Sequence, residues 1–417
     1  MRNILLLAIL AASALPAEFP FRTASEAEVV AAIEMSSPGA DWAKPGREAA
    51  VAEISVGGVR QHVVLFGGAE RRRYRVLLGP LAAGAHTLRV NRSGEWSAPG
   101  AGLTVHGASF EEYPRSHPDW AMIANAPYLD ARPGTEGKFT DVPLVAVCDR
   151  RNGLLEYTVI YSNEDGGTST RNLMARWGRA TDIEWIYRTG AAGAFYQGRD
   201  HKDLPFRGAF DGLHPRLITV TDNNMVADSG ASPLHFRIAP IPADLSAGTR
   251  ESLMDADPVL HRVMATELER EGKLRPPGTR DGEKVADPRH YLYLDARGRM
   301  EGVALAVFAR VNGEWHASHA GRPIASIARS GWFRTSIEVP SRDVTALAFG
   351  CIAGEKGADG ECRVEEVRQA FFLDREYRPE PDLWRSSTLF DVPVGRMREI
   401  QLPARSASVS AREGTED

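Results

Sequence analysis

At 417 residues the chain is long for a single hydrophobic core, so two or three domains are expected. Hydrophobic residues at 43% and charged residues at 25% are globular proportions and exclude an intrinsically disordered chain. With 50 basic against 55 acidic side chains, net −5, no strongly basic field is available to hold nucleic acid or an anionic membrane.

In chain order, Arg2 precedes an apolar run over residues 4–12, and Ala12-Ser13-Ala14 fits the small-x-small cleavage rule, with Ala17 as a second option. Residues 1–17 are therefore expected to be a signal peptide, and the protein secreted or periplasmic. No later apolar run approaches the roughly 20 residues that a membrane-crossing helix needs, so no integral membrane segment is expected.

Residues 45–106 carry short alternating runs at 51–56, 59–66, 74–78 and 86–90, broken by Gly57-Gly58, Gly67-Gly68 and residues 80–84. Hairpin spacing of this kind predicts a small antiparallel, Ig-like sandwich. Residues 107–245 open with a stretch rich in proline and aromatic residues. Five strand-like runs follow, near 142–148, 155–161, 181–187, 216–221 and 234–238, and predict a central sandwich. Over 246–280 the spacing predicts one helix: Asp257 and Pro258 start it, Val259, Leu260, Val263, Met264 and Leu268 form an apolar stripe, and Pro276-Pro277-Gly278 stops the segment. Residues 281–378 return to strand patterning, with a hairpin turn at Asn312-Gly313. Cys351 and Cys362 flank a glycine-rich turn there and are expected to form a disulfide, whereas Cys148 reads as a small buried side chain. Residues 379–417 read as a mostly disordered tail. The predicted class is mainly β: several antiparallel sandwiches and one bridging α-helix.

Metal- and proton-handling side chains concentrate between residues 163 and 224. If 181–187 is a strand, Asp182 and Glu184 share one face, opposite Ile183, Trp185 and Tyr187. Converging carboxylates are what Ca²⁺ or Mg²⁺ requires, with Asp222 as a third ligand, and a carboxylate pair also serves acid–base cleavage of a glycosidic bond. A solvent-facing acidic stripe would look the same in sequence. His201, in Asp200-His201-Lys202-Asp203, and His214, before Pro215, are the candidate partners of the two acids. The loop Asn163-Glu164-Asp165-Gly166-Gly167 lacks the spacing of a calcium loop. Trp315, His316, His319 and Trp332 suggest a sugar-stacking surface, although a buried aromatic core is the simpler expectation.

Gly178-Arg179-Ala180-Thr181-Asp182-Ile183-Glu184 resembles the Gly-His-Arg-His-Asp-Trp-Glu heptapeptide of the necrosis-inducing (NLP-type) secreted proteins and the Gly-Asp-Trp-Glu stretch of the Vps62-like proteins. His214-Pro215-Arg216-Leu217-Ile218-Thr219-Val220 is similar to a later His-Pro strand of the second group. The resemblance spans residues 155–225. It implies a central β-sandwich with a polar pocket in which Asp182 and Glu184 sit near a divalent cation. Both motif histidines are replaced, by Arg179 and Thr181, so cytolytic activity is not carried over.

The leading expectation is a secreted hydrolase acting on an extracellular glycan or glycoconjugate. Asp182, Glu184, His201 and His214 would be its catalytic groups, and Asp182, Glu184 and Asp222 would hold a divalent cation, Ca²⁺ or Mg²⁺. The alternative is a non-catalytic, lectin- or adhesin-like protein that binds a glycan and carries a structural cation.

Overall fold

A computed structural model describes residues 16–354 and 360–402. The chain is mainly β, with several separate sheets, as the sequence pattern predicts. Residues 1–15, and with them almost all of the expected signal peptide, lie outside the described residues.

The N-terminal sandwich begins at Ala17–Thr23 rather than near residue 45. That strand pairs with Gly84–Arg92, while Ala27–Ser36 is the central strand of a three-stranded sheet between Arg72–Leu81 and Thr104–Tyr113. Ala27–Ser36 is buried along nearly its whole length, as a strand covered on both faces must be. It therefore lacks the alternation that marks the neighbouring strands in the sequence.

The second sheet of this sandwich does not stop at a domain boundary. From Val59–Val64 it continues through His235–Phe236, Tyr128–Asp130 and His214–Thr219, so the expected N-terminal and central modules share one sheet. A separate six-stranded sheet carries the central motif, with Leu154–Tyr161 and Ile183–Gly190 as antiparallel neighbours. The predicted helix forms over Val259–Arg270 and buries Leu260, Val263, Met264 and Leu268 in the same core as both sheets.

The second core belongs to the C-terminal sandwich, two sheets built on Tyr291–Arg299 and Val303–Val311. Its buried Cys351 and Cys362 form the expected disulfide, and Cys148 is buried and free. The expectation of a disordered tail from 379 is corrected up to residue 402. Trp384–Ser386 and Phe390–Pro393 pair with Glu361–Phe371, and Met397–Gln401 pairs with Val344–Ala353. Residues 403–417 lie outside the described residues.

Candidate functional site

The short helix Thr170–Trp177 ends at Gly178, whose left-handed backbone reverses the chain into the strand Ile183–Gly190. A side chain at Gly178 would meet the Arg334 stem at 2.8 Å, so the turn is closed from outside as well. The reversal drives Arg179 and Asp182 inward. Asp182 is 2% exposed and Arg179 4%, so Asp182 belongs to no solvent-facing acidic stripe.

Arg179 is the hub. Its Nε donates to Glu251 Oε1 at 3.0 Å, its Nη1 lies 3.8 Å from Asp182 Oδ1, and Nη1 also donates to the Thr181 carbonyl. Burial opposes its charge, but Glu251, Asp182, Glu184 and Glu164 together outweigh that and hold the guanidinium above the ordinary arginine range. The reciprocal effect on the carboxyls is unequal. Burial, then Glu184 and Glu164, push Asp182 well above the usual carboxylate range. Glu164 rises to about 7, from burial first and from Glu184 and Asp222 beyond it. Burial also acts on Glu251, yet Arg179, Arg329 and Arg334 hold it below its ordinary value. Asp182 Oδ2 accepts 3.0 Å from Asn224 Nδ2, whose own Oδ1 is buried without a partner.

The predicted residues are partly brought together. Asp182 and Glu184 do share one cluster. His201 stands at its solvent edge, with Nδ1 4.0 Å from Glu184 Oε2 and 2.9 Å from Gln197 Nε2. His214 is elsewhere, because its strand lies in the nine-stranded sheet rather than the six-stranded one. There its ring meets the Ala126 carbonyl at 2.8 Å and Glu28 Oε2 at 3.1 Å and stacks on Tyr128. It is a core histidine, and its place beside Asp182 is withdrawn. Asp222 is exposed and packs against the loop that carries Glu164: its carbonyl accepts from the Asp165 and Gly166 amides, and its carboxylate fills the space a Gly166 side chain would need.

The cation implied by the resemblance can be tested against these donors. A hard divalent ion needs several convergent oxygens free of another cation. Here a guanidinium already stands among Glu164, Asp182, Glu184 and Glu251. Among the described residues no group of three or more His, Cys, Asp or Glu is arranged to hold a metal. The donor set as it stands does not fit the ion.

Arg179 and Glu251 also line an open pocket of about 450 Å³. Arg151, Arg250 and Arg329 contribute three more guanidiniums, and Trp177 and Trp332 two indoles, while Glu251 is the one carboxylate in the lining. Arg151 is paired with Asp149 at 2.6 Å and Arg250 with Glu156 at 3.3 Å. Half-buried Arg329 makes no ion pair within 4 Å among the described residues, although Glu251 stands near enough to favour its charge. Its Nη2 donates to the Arg176 carbonyl at 2.7 Å, and the guanidinium lies 5.2 Å from the Trp177 ring. Burial, joined by Arg179 and Arg176, outweighs the favourable pull of Glu251 and brings it down to about 10. The Thr249 hydroxyl in the same lining is buried with no partner.

Sequence reasoning missed Glu164, read only as part of a loop, and Arg179, read only as a departure from a motif. Thr249, Glu251 and Arg329 join them from far along the chain and carry no local pattern. Neither a protein-family model nor a curated protein matches the chain.

Proposed function

We propose that this is an extracellular, non-catalytic binding protein for an acidic saccharide, held in the pocket between Trp177, Trp332 and the four guanidiniums. The observation that carries the reading is Arg329, a half-buried cation with no carboxylate within ion-pair reach, lining a cavity that also holds two indole rings. Half-buried charges are ordinarily paired, and a guanidinium without a carboxylate is completed by an anion from outside, bidentately where the anion is a carboxylate or sulfate. Indole faces suit the apolar face of a sugar ring, and a pocket of this size falls in the range of small-ligand sites, roughly 300–1,000 Å³.

Calorimetric titration of the mature protein with an oligogalacturonate, and with its neutral methyl ester, tests this. Binding is expected for the acid and not for the ester, falling with added salt. Arg329→Met should weaken it roughly ten- to hundredfold, the value of one charge-assisted hydrogen bond. Equal binding of acid and ester, or none of either, overturns the proposal.

A hydrolytic reading is favoured by one observation, the Glu164 carboxyl poised at about 7, where a general acid–base group is most effective. Asp182 is too enclosed to meet a substrate, so Glu164 and the partly open Glu184 would carry the chemistry. Release of reducing ends from the same oligogalacturonate, lost in Glu164→Gln and Glu184→Gln, would move the protein to that class.

A further inference from the structure

A second cavity, of about 490 Å³, lies where three sheets meet. Its lining comes from Val59–Val64 of the nine-stranded sheet, Arg72–Leu81 of the three-stranded sheet, and Pro143–Arg151 and Ile241–Ala243 of the six-stranded sheet, with the helix Val259–Arg270 alongside. Val64, Phe66, Leu144, Ile160, Phe236 and Leu260 line it, and all six are buried. It is therefore a hollow reaching into the core rather than an apolar face. Ile241, 45% exposed, carries the apolar lining out to solvent.

Every charge in the lining already has its counterpart. Arg72 is committed to Asp257 through both terminal nitrogens, Arg75 Nη2 donates to Glu111 at 2.6 Å, and Arg73 lies 3.6 Å from Glu34. His62 is held below the ordinary histidine range, by burial first and then by His235, and adds no charge at pH 7. A charged ligand would give up its hydration here without meeting a free counter-charge, which is costly. A neutral apolar molecule meets no such cost, and gains dispersion contacts along a wall that offers water no hydrogen bonds.

We propose that this cavity is a binding site for one neutral lipophilic molecule, such as an uncharged long-chain alcohol, ketone or ester, seated along the buried wall with its polar end at the mouth beside Ile241. An apolar cavity of about 150 Å³ is enough for a benzene ring, so a volume about three times larger suits an occupant of about ten to twenty carbon atoms. Junctions between packed sheets and domains are where such sites ordinarily form.

The test uses delipidated mature protein and N-phenyl-1-naphthylamine, an uncharged probe whose fluorescence rises in an apolar site. Saturable binding at one site per chain is expected, with decanol displacing the probe at least tenfold better than either decanoate or decyltrimethylammonium. Ala256 is exposed in the lining, and Ala256→Trp should abolish binding by filling the mouth. Ile241→Glu, at a half-exposed position where the fold tolerates charge, should weaken it at least fivefold. No saturable binding, binding unchanged by both substitutions, or displacement by the acid or the cation as strong as by the alcohol would each overturn the proposal.

Discussion

Replacing Arg329 with methionine should make the ligand-free protein more stable, although it removes a half-buried side chain. The ordinary arginine value is at least roughly 12.5, and Arg329 is brought down to about 10. At about 1.36 kcal/mol per pH unit this is a penalty of about 3 kcal/mol for keeping the charge, before screening by the solvent that reaches the pocket. The penalty applies in full at every pH below about 10, because the group is charged there in both folded and unfolded chains. Against it stand one good hydrogen bond to the Arg176 carbonyl, a longer one to Arg334, and the contact with Trp177. Together these contribute about 1–2 kcal/mol, and methionine keeps part of the ring contact. The balance is a gain of about 1 kcal/mol. It should appear in urea as a later midpoint at unchanged slope, read by tryptophan fluorescence at pH 7. Saturating oligogalacturonate should then reverse the order, stabilising the parent protein and not the variant. A variant less stable than the parent by 1 kcal/mol or more without ligand would show that the guanidinium is a structural tie, and would remove the argument for an anion.

Arg179→Gln should cost about 3–5 kcal/mol, because Glu251 is left buried without its partner; a loss below 1 kcal/mol in urea would contradict the pairing. In the unsubstituted protein, elemental mass spectrometry should find no stoichiometric divalent ion. An ion lost in Asp182→Asn/Glu184→Gln would instead restore the cation expectation and displace Arg179 from the hub. Glu164 titrates near 7 when folded and near its ordinary value of about 4.5 when unfolded, so the folded state binds the extra proton between those values. Its contribution is therefore complete below about pH 4.5 and falls away by about pH 7, and Glu164→Gln should flatten that part of the stability–pH curve by about 3 kcal/mol. A curve unchanged by the substitution would mean that Glu164 is ionised throughout. His214→Asn should lower stability by about 1–3 kcal/mol through the loss of the Glu28 and Ala126 contacts while leaving saccharide binding intact; an effect on binding alone would reinstate it at the site.

The sequence shows structure where one physical signal dominates and hides it where two compete. The helix Val259–Arg270 was legible because cap, stripe and stop all agree. Ala27–Ser36 was not: burial on both faces erases alternation, leaving an apolar run that helix, strand and signal segment all share. The 384–401 strands failed for the opposite reason, being polar edge and hairpin strands whose ladder partners supply what composition does not. Asp182 and Glu184 were found by their spacing, yet their meaning was set by Arg179, which enters a sequence reading as a lost histidine. A carboxylate pair beside an internal guanidinium is partly compensated from within, which the spacing of the pair alone does not reveal. The local electrostatics thus depend on one residue whose partner, Glu251, lies 72 positions away. Arg329 is further still, and the inference from it depends on the opposite condition, a positive group with no carboxylate inside ion-pair distance. Pairing across the fold is what separates these two arginines, and no window of the chain contains it.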